Sequence, residues 1–126
     1  MAYTIQSYRD LIAWQKGIDF VLMVYKMVET FPKSEMYSLT NQLKRAAYSI
    51  PLNIAEGRGR RSTKTFLHFL DISYGSLAEV ETGVEIALRL GYLNPSQSKQ
   101  LNELSSEIGR ILNGLIASLE KQLDSP

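Results

Sequence analysis

Cysteine is absent from the 126 residues, and histidine and tryptophan each occur once. Without cysteine there are no disulfides, thiolate zinc sites or thiol nucleophiles, which suits a reducing compartment. A lone histidine, His68, cannot supply the two Glu-x-x-His motifs of a di-metal bundle, and the residue three before it is Thr65. No G-x-S-x-G motif occurs, and any serine base-assisted mechanism has only His68 as partner. No apolar run reaches the about 20 residues of a membrane span. The opening MAYTIQSYRD has no basic region leading into an apolar core, so no secretory leader is expected. A cytoplasmic protein with no metal, no cofactor and no membrane partner is the expectation.

Helical periods are what the chain does have. From Asp10 to Thr30, Leu11, Trp14, Ile18, Val21, Tyr25 and Val28 recur in steps of three and four. A second set, Phe20, Met23, Val24 and Met27, occupies another side. At 100° per residue the two sets cover roughly 260° of the circumference, more than one core-facing stripe. A helix so apolar predicts self-association. Leu39, Leu43, Ala46, Ala47, Ile50 and Ile54 mark a second helix with Pro51 inside it. Because Leu52, Ile54 and Ala55 keep the phase, a kinked helix is expected rather than two elements. Gly57 and Gly59 are read as its terminators. Ser62 caps a third helix carrying Phe66, Leu70, Ser73, Leu77, Val80, Val84 and Ala87, with Gly91 as its left-handed C-cap. Asn94-Pro95, with Gln97 in the capping-box position, opens a fourth helix carrying Leu101, Leu104, Ile108, Ile111, Leu115 and Leu119. The expectation is an all-α fold: a single domain, 1–126, forming an up-down-up-down four-helix bundle. Its helices run approximately over 10–30, 35–57, 63–90 and 95–122.

Net charge is only +1, but it is unevenly spread. Between 44 and 64, Lys44, Arg45, Arg58, Arg60, Arg61 and Lys64 face only Glu56, a local sum of +5. From 65 to 126, eight acids meet four bases. Arg58, Arg60 and Arg61 sit where one helix gives way to the next, beside the free amides of Thr63 to Thr65. Lys64 adds charge there. Lys44 and Arg45 stand three to four turns back and extend a basic track, beside which Tyr37 and Tyr48 offer rings for stacking. Arginine in such a turn favours planar recognition of phosphate or carboxylate. The competing reading is that these arginines pair with Glu35, Glu56 or an acidic neighbour. EGRGRRS follows a helix and lacks the G-x-x-x-x-G-K-[ST] pattern, so it is not a nucleotide-hydrolysis loop. Glu81 and Glu85 share a helix face, the pattern of a solvated strip. No catalytic residue is assigned, and the chain is not expected to be an enzyme.

The stretches DLIAWQKG (10–17), EMYSLTNQLKRAAYSIPLNIAEGRGRRS (35–62), FLHFLDISYGSLAEVET (66–82) and LGYL (90–93) resemble the bundle proteins encoded in bacterial 23S rRNA intervening sequences. They are also similar to the accessory variability protein of diversity-generating retroelements. The resemblance implies a left-handed bundle assembling into a homopentameric ring. It further implies RNA or DNA, and a reverse transcriptase or other acidic protein, as partners of a basic surface. Lys44, Arg45, Arg58, Arg60 and Arg61 occupy the motif's basic positions; Lys64 is added on its place in the sequence. Ser38 stands where the family usually has glycine, and Gly83 is expected to weaken the third helix. Two functions are weighed: an oligomeric nucleic-acid-binding bundle, and a protein-interaction scaffold whose basic joint docks an acidic partner or neighbouring subunit.

Overall fold

The computed structural model describes residues 7–124. The N-terminal residues read above for a leader lie largely outside that span. Four α-helices follow one another: α1 (Ile12–Val28), α2 (Leu39–Gly59), α3 (Thr63–Arg89) and α4 (Pro95–Asp124), with no strand among the described residues. α1 packs on α2 and α4, and α3 on α2 and α4, while neither diagonal pair meets. Partners across the seams run in opposite directions. Gly17 lies by Pro51 and Tyr25 by Lys44; Ser49 meets Ser76 while Gly57 meets Phe66; Leu77 lies by Gly109 and Tyr74 by Asn113. Consecutive helices are therefore antiparallel, the arrangement short joints favour.

The helix ends show where local chemistry decides. α3 closes in a Schellman motif: Gly91 takes φ +80°, its N–H donates to Leu88 O at 3.0 Å, and Tyr92 N–H donates to Ala87 O at 2.9 Å. Asn94 and Gln97 form the reciprocal capping box of α4, at 2.8 and 2.9 Å. α1 starts at Ile12 rather than Asp10, because Ser7 and Asp10 form a capping box around a 3-10 turn, Tyr8–Asp10. α2 starts at Leu39 rather than at 35. The Glu35 carboxylate instead accepts hydrogen bonds from the Ser38 hydroxyl and from Tyr92 at the end of α3.

The core stripes of α2 and α3 are those the periodicity marked, apart from a half-buried Leu39. That of α1 is not. Ala13, Gly17, Phe20, Val24 and Val28 are buried, whereas Ile18 and Val21 are only partly covered and Tyr25 is exposed. Gly17 faces the buried proline: a Cβ there would stand 3.4 Å from Pro51 Cβ, at ordinary van der Waals contact. α2 continues through Pro51 as one helix. Around it, Ser73 Oγ donates to Ile50 O at 2.9 Å in the core, and Asn53 Nδ2 donates to Ser49 O at 2.8 Å. These bonds give polar partners to a stretch where proline has removed one rung of the ladder. Gly83, expected to weaken α3, is buried under Leu43, whose Cδ2 would lie 2.5 Å from an added Cβ.

Candidate functional site

The α2–α3 joint departs from the reading of its glycines as terminators. Gly57 and Gly59 are both helical, and α2 ends at Gly59 with Arg60 as its cap. Gly57 is a crossing point: an added Cβ would stand 2.7 Å from Phe69 Cβ and 2.9 Å from Phe66 Cδ1. The turn itself is made by Arg61, at φ 65° the one described non-glycine residue with positive φ. Such a conformation is disfavoured for a side chain with a Cβ. Ser62 then returns to extended geometry and caps α3, accepting from Thr65 N–H at 3.3 Å.

This geometry separates the basic residues. Arg58 and Arg61 line one cleft of about 420 Å³ together with Ser62 and Thr63. The cleft is closed on the far side by Ser118, Leu119 and Gln122 of α4, and Leu11 and Phe66 contribute apolar surface. Arg60 is turned away. It donates to Glu56 at 2.8 Å and lies 5.6 Å from the Phe69 ring centre, so here the pairing alternative holds. Lys64 is exposed in the first turn of α3. Its charge opposes the helix dipole there and adds to the attraction for an anion.

Lys44 and Arg45 do not join this group. Position 45 is 13 residues before 58, about 20 Å along the axis. Lys44 sits 4.9 Å over the Tyr25 ring on the α1 side, while Arg45 lines the outer α2–α3 groove beside Tyr48. Tyr37 and Tyr48 are both exposed, at 90% and 37%. Elsewhere, Glu85 pairs with Arg89 at 2.8 Å, and Glu79 accepts from Gln42 at 3.3 Å. His68 packs edge-on against Phe69. No group of three or more metal-ligating side chains occurs among the described residues.

The sequence reading overlooked Arg9. Its guanidinium lies 5.6 Å from the Tyr8 ring centre and 5.4 Å from that of Trp14, which meet edge to face. The Tyr8–Asp10 turn packs on α2. The register of α1 on α2 sets it level with the last turn of α2, and Leu11 lines the cleft of Arg58 and Arg61. Arg9 thus belongs to the same end of the bundle. The available signal was W at 14 near YRD, a pattern with no helical period.

A family model for 23S rRNA-intervening sequence proteins matches residues 9–114, a span containing every helix except the end of α4. The chain belongs to this family. A crystal structure of a protein of unknown function from the S23 ribosomal protein family, from Bacteroides thetaiotaomicron, shares the fold at TM-score 0.75 and 25% identity. That similarity covers 83% of this chain and 98% of the other. Comparison with curated proteins gives no match. Within the 23S rRNA-intervening sequence match lie Arg9, Arg58 and Arg61, whereas the α4 wall of the cleft, Ser118 to Gln122, follows its end. No described helix is long and apolar enough to cross a membrane.

Proposed function

We propose that the protein is a non-enzymatic, homo-oligomeric bundle that binds the backbone of RNA or DNA at its α2–α3 joints. The observation that carries this reading is the cleft in which Arg58 and Arg61 stand together with Ser62 and Thr63 at the N-terminus of α3. Backbone amides, helix dipole and guanidinium groups there act on an anion together. Lys64 adds attraction at the rim, and Lys44 and Arg45 contribute a more distant field.

Oligomerisation is supported by apolar side chains on two different sides. Ile12 and Leu22 of α1 are 59% and 64% exposed, and Leu52 with Ile72 lies open along the α2–α3 groove. Two unlike patches suit a heterologous interface, the kind a closed ring requires. The finer reading is a left-handed bundle bent at Pro51 in a cytoplasmic homopentamer, with its joints summing their charge on one strand. A reverse transcriptase is a further candidate partner.

The test is the triple variant Arg58→Ala/Arg60→Ala/Arg61→Ala, measured for single-strand RNA affinity and for mass by light scattering. Loss of affinity at unchanged mass is the expected result. Loss of mass with affinity retained would instead favour the scaffold reading, in which the arginines hold a neighbouring subunit or an acidic protein.

A further inference from the structure

We propose that the cleft at the basic end takes one unpaired base of the bound strand, so that the protein selects single-stranded over duplex nucleic acid. This rests on the reading of that end as a nucleic-acid surface and adds what the surface distinguishes. Phosphate alone needs only cations and amides, yet the cleft has two characters. Leu11, Phe66 and Leu119 give it apolar surface, while Arg58, Arg61 and Ser118 give it polar and cationic surface. Its volume, about 420 Å³, is at the lower end of the range for small-molecule sites. That accommodates a nucleoside and excludes a duplex. A splayed nucleotide presents matching chemistry: a flat apolar base between two phosphates. A duplex offers the phosphates alone, its bases being stacked inside.

Arg9 strengthens the case independently. Arg60 and Arg89 are each neutralised by a glutamate, but the Arg9 guanidinium rests on the rings of Tyr8 and Trp14 and forms no ion pair among the described residues. It is a positioned planar cation at the same end of the bundle as the cleft, able to take a further phosphate or to stack on another base. Because Trp14 is the only tryptophan, its emission reports on this place alone.

The test compares a short oligouridine, an RNA duplex of equal length and inorganic polyphosphate at one salt concentration. The expected result is oligouridine binding about tenfold tighter than the duplex, with a change in Trp14 emission. Ser118 is exposed on the α4 side of the cleft, so Ser118→Tyr fills the space without altering charge or core. It should weaken oligouridine binding about tenfold, the contribution of one stacked base, and leave polyphosphate binding unchanged. Equal affinity for duplex and single strand, oligouridine binding unaffected by Ser118→Tyr, or constant Trp14 emission at saturation would each overturn the inference. In those cases polyphosphate and RNA still bind, and the backbone reading survives. If none of the three probes binds, the backbone reading fails and carries this inference with it.

Discussion

The two turns at either end of α3 perform the same task with opposite chemistry. At its C-terminus the chain uses residues suited to turning: glycine at the left-handed position, then Asn94 and Gln97 in a reciprocal cap. At its N-terminus the left-handed position is held by Arg61, and the two nearby glycines are spent inside a helix. Left-handed geometry disfavours a side chain by roughly 1–2 kcal/mol. This is the turn at which we propose that an anion binds. Such local conflicts with folding preference concentrate at functional sites.

The largest break in the comparison is expected from Gly57→Ala. Its Cβ would stand 2.7 Å from Phe69 Cβ, a contact no rotamer change relieves, so α2 and α3 must separate at the joint. A loss of about 1–3 kcal/mol in urea unfolding is expected, despite alanine's better helix propensity. Retained stability would mean the helices do not cross there. Gly91→Ala probes the opposite turn, where there is open space but positive φ. A loss of about 1–2 kcal/mol is expected, arising from backbone conformation alone.

Arg61→Gly should act in the other direction. Relief of the left-handed side chain, offset by the greater freedom of glycine when unfolded, leaves a gain of up to about 1 kcal/mol. RNA affinity should fall in the same variant. A destabilised Arg61→Gly protein would show that the arginine holds the turn rather than being held in it.

The smallest effect belongs to pH at the opposite end. Hydrogen bonds from Ser38 and Tyr92 hold the Glu35 carboxyl below its usual range, and Glu35 raises the Tyr92 phenol. The carboxylate's contribution is complete above the ordinary value near 4.3 and disappears as pH falls through the lowered one; that of the phenol is complete below about 10 and disappears as pH rises through the raised one. Urea midpoints of the wild type and Glu35→Gln should therefore differ by a small constant amount between about pH 5 and 9 and converge in acid. A gap that persists at low pH would contradict the assignment.

Local signals were read most faithfully. Ser62, Gly91 and the Asn94–Gln97 pair are caps because neighbours in sequence satisfy one another, and no distant residue is needed to see them. The buried faces of α2 and α3 were legible for the same reason, one strong apolar stripe each. α1 misled because two apolar sets compete for its inner face: Phe20, Val24 and Val28 are buried with Ala13 and Gly17, while Ile18, Val21 and Tyr25 remain on the flanks. Gly57 and Gly59 resembled a terminator, since only the rings of the next helix reveal what Gly57 makes room for. At the site, the clustering of Arg58 and Arg61 was visible as charge. The pairing of Arg60 with Glu56 was foreseen only as the alternative. Arg9 was hidden because its partners are aromatic and its place on the basic end comes from the antiparallel register.

The salt dependence of single-strand RNA binding tests the basic corner most directly. Three to five phosphate contacts give a log–log slope of about −2 to −3.5, and Arg58→Ala/Arg61→Ala should make it shallower by about 1.4. A flat response in the wild type, or the same slope in both proteins, would contradict an anion-binding role for the cleft.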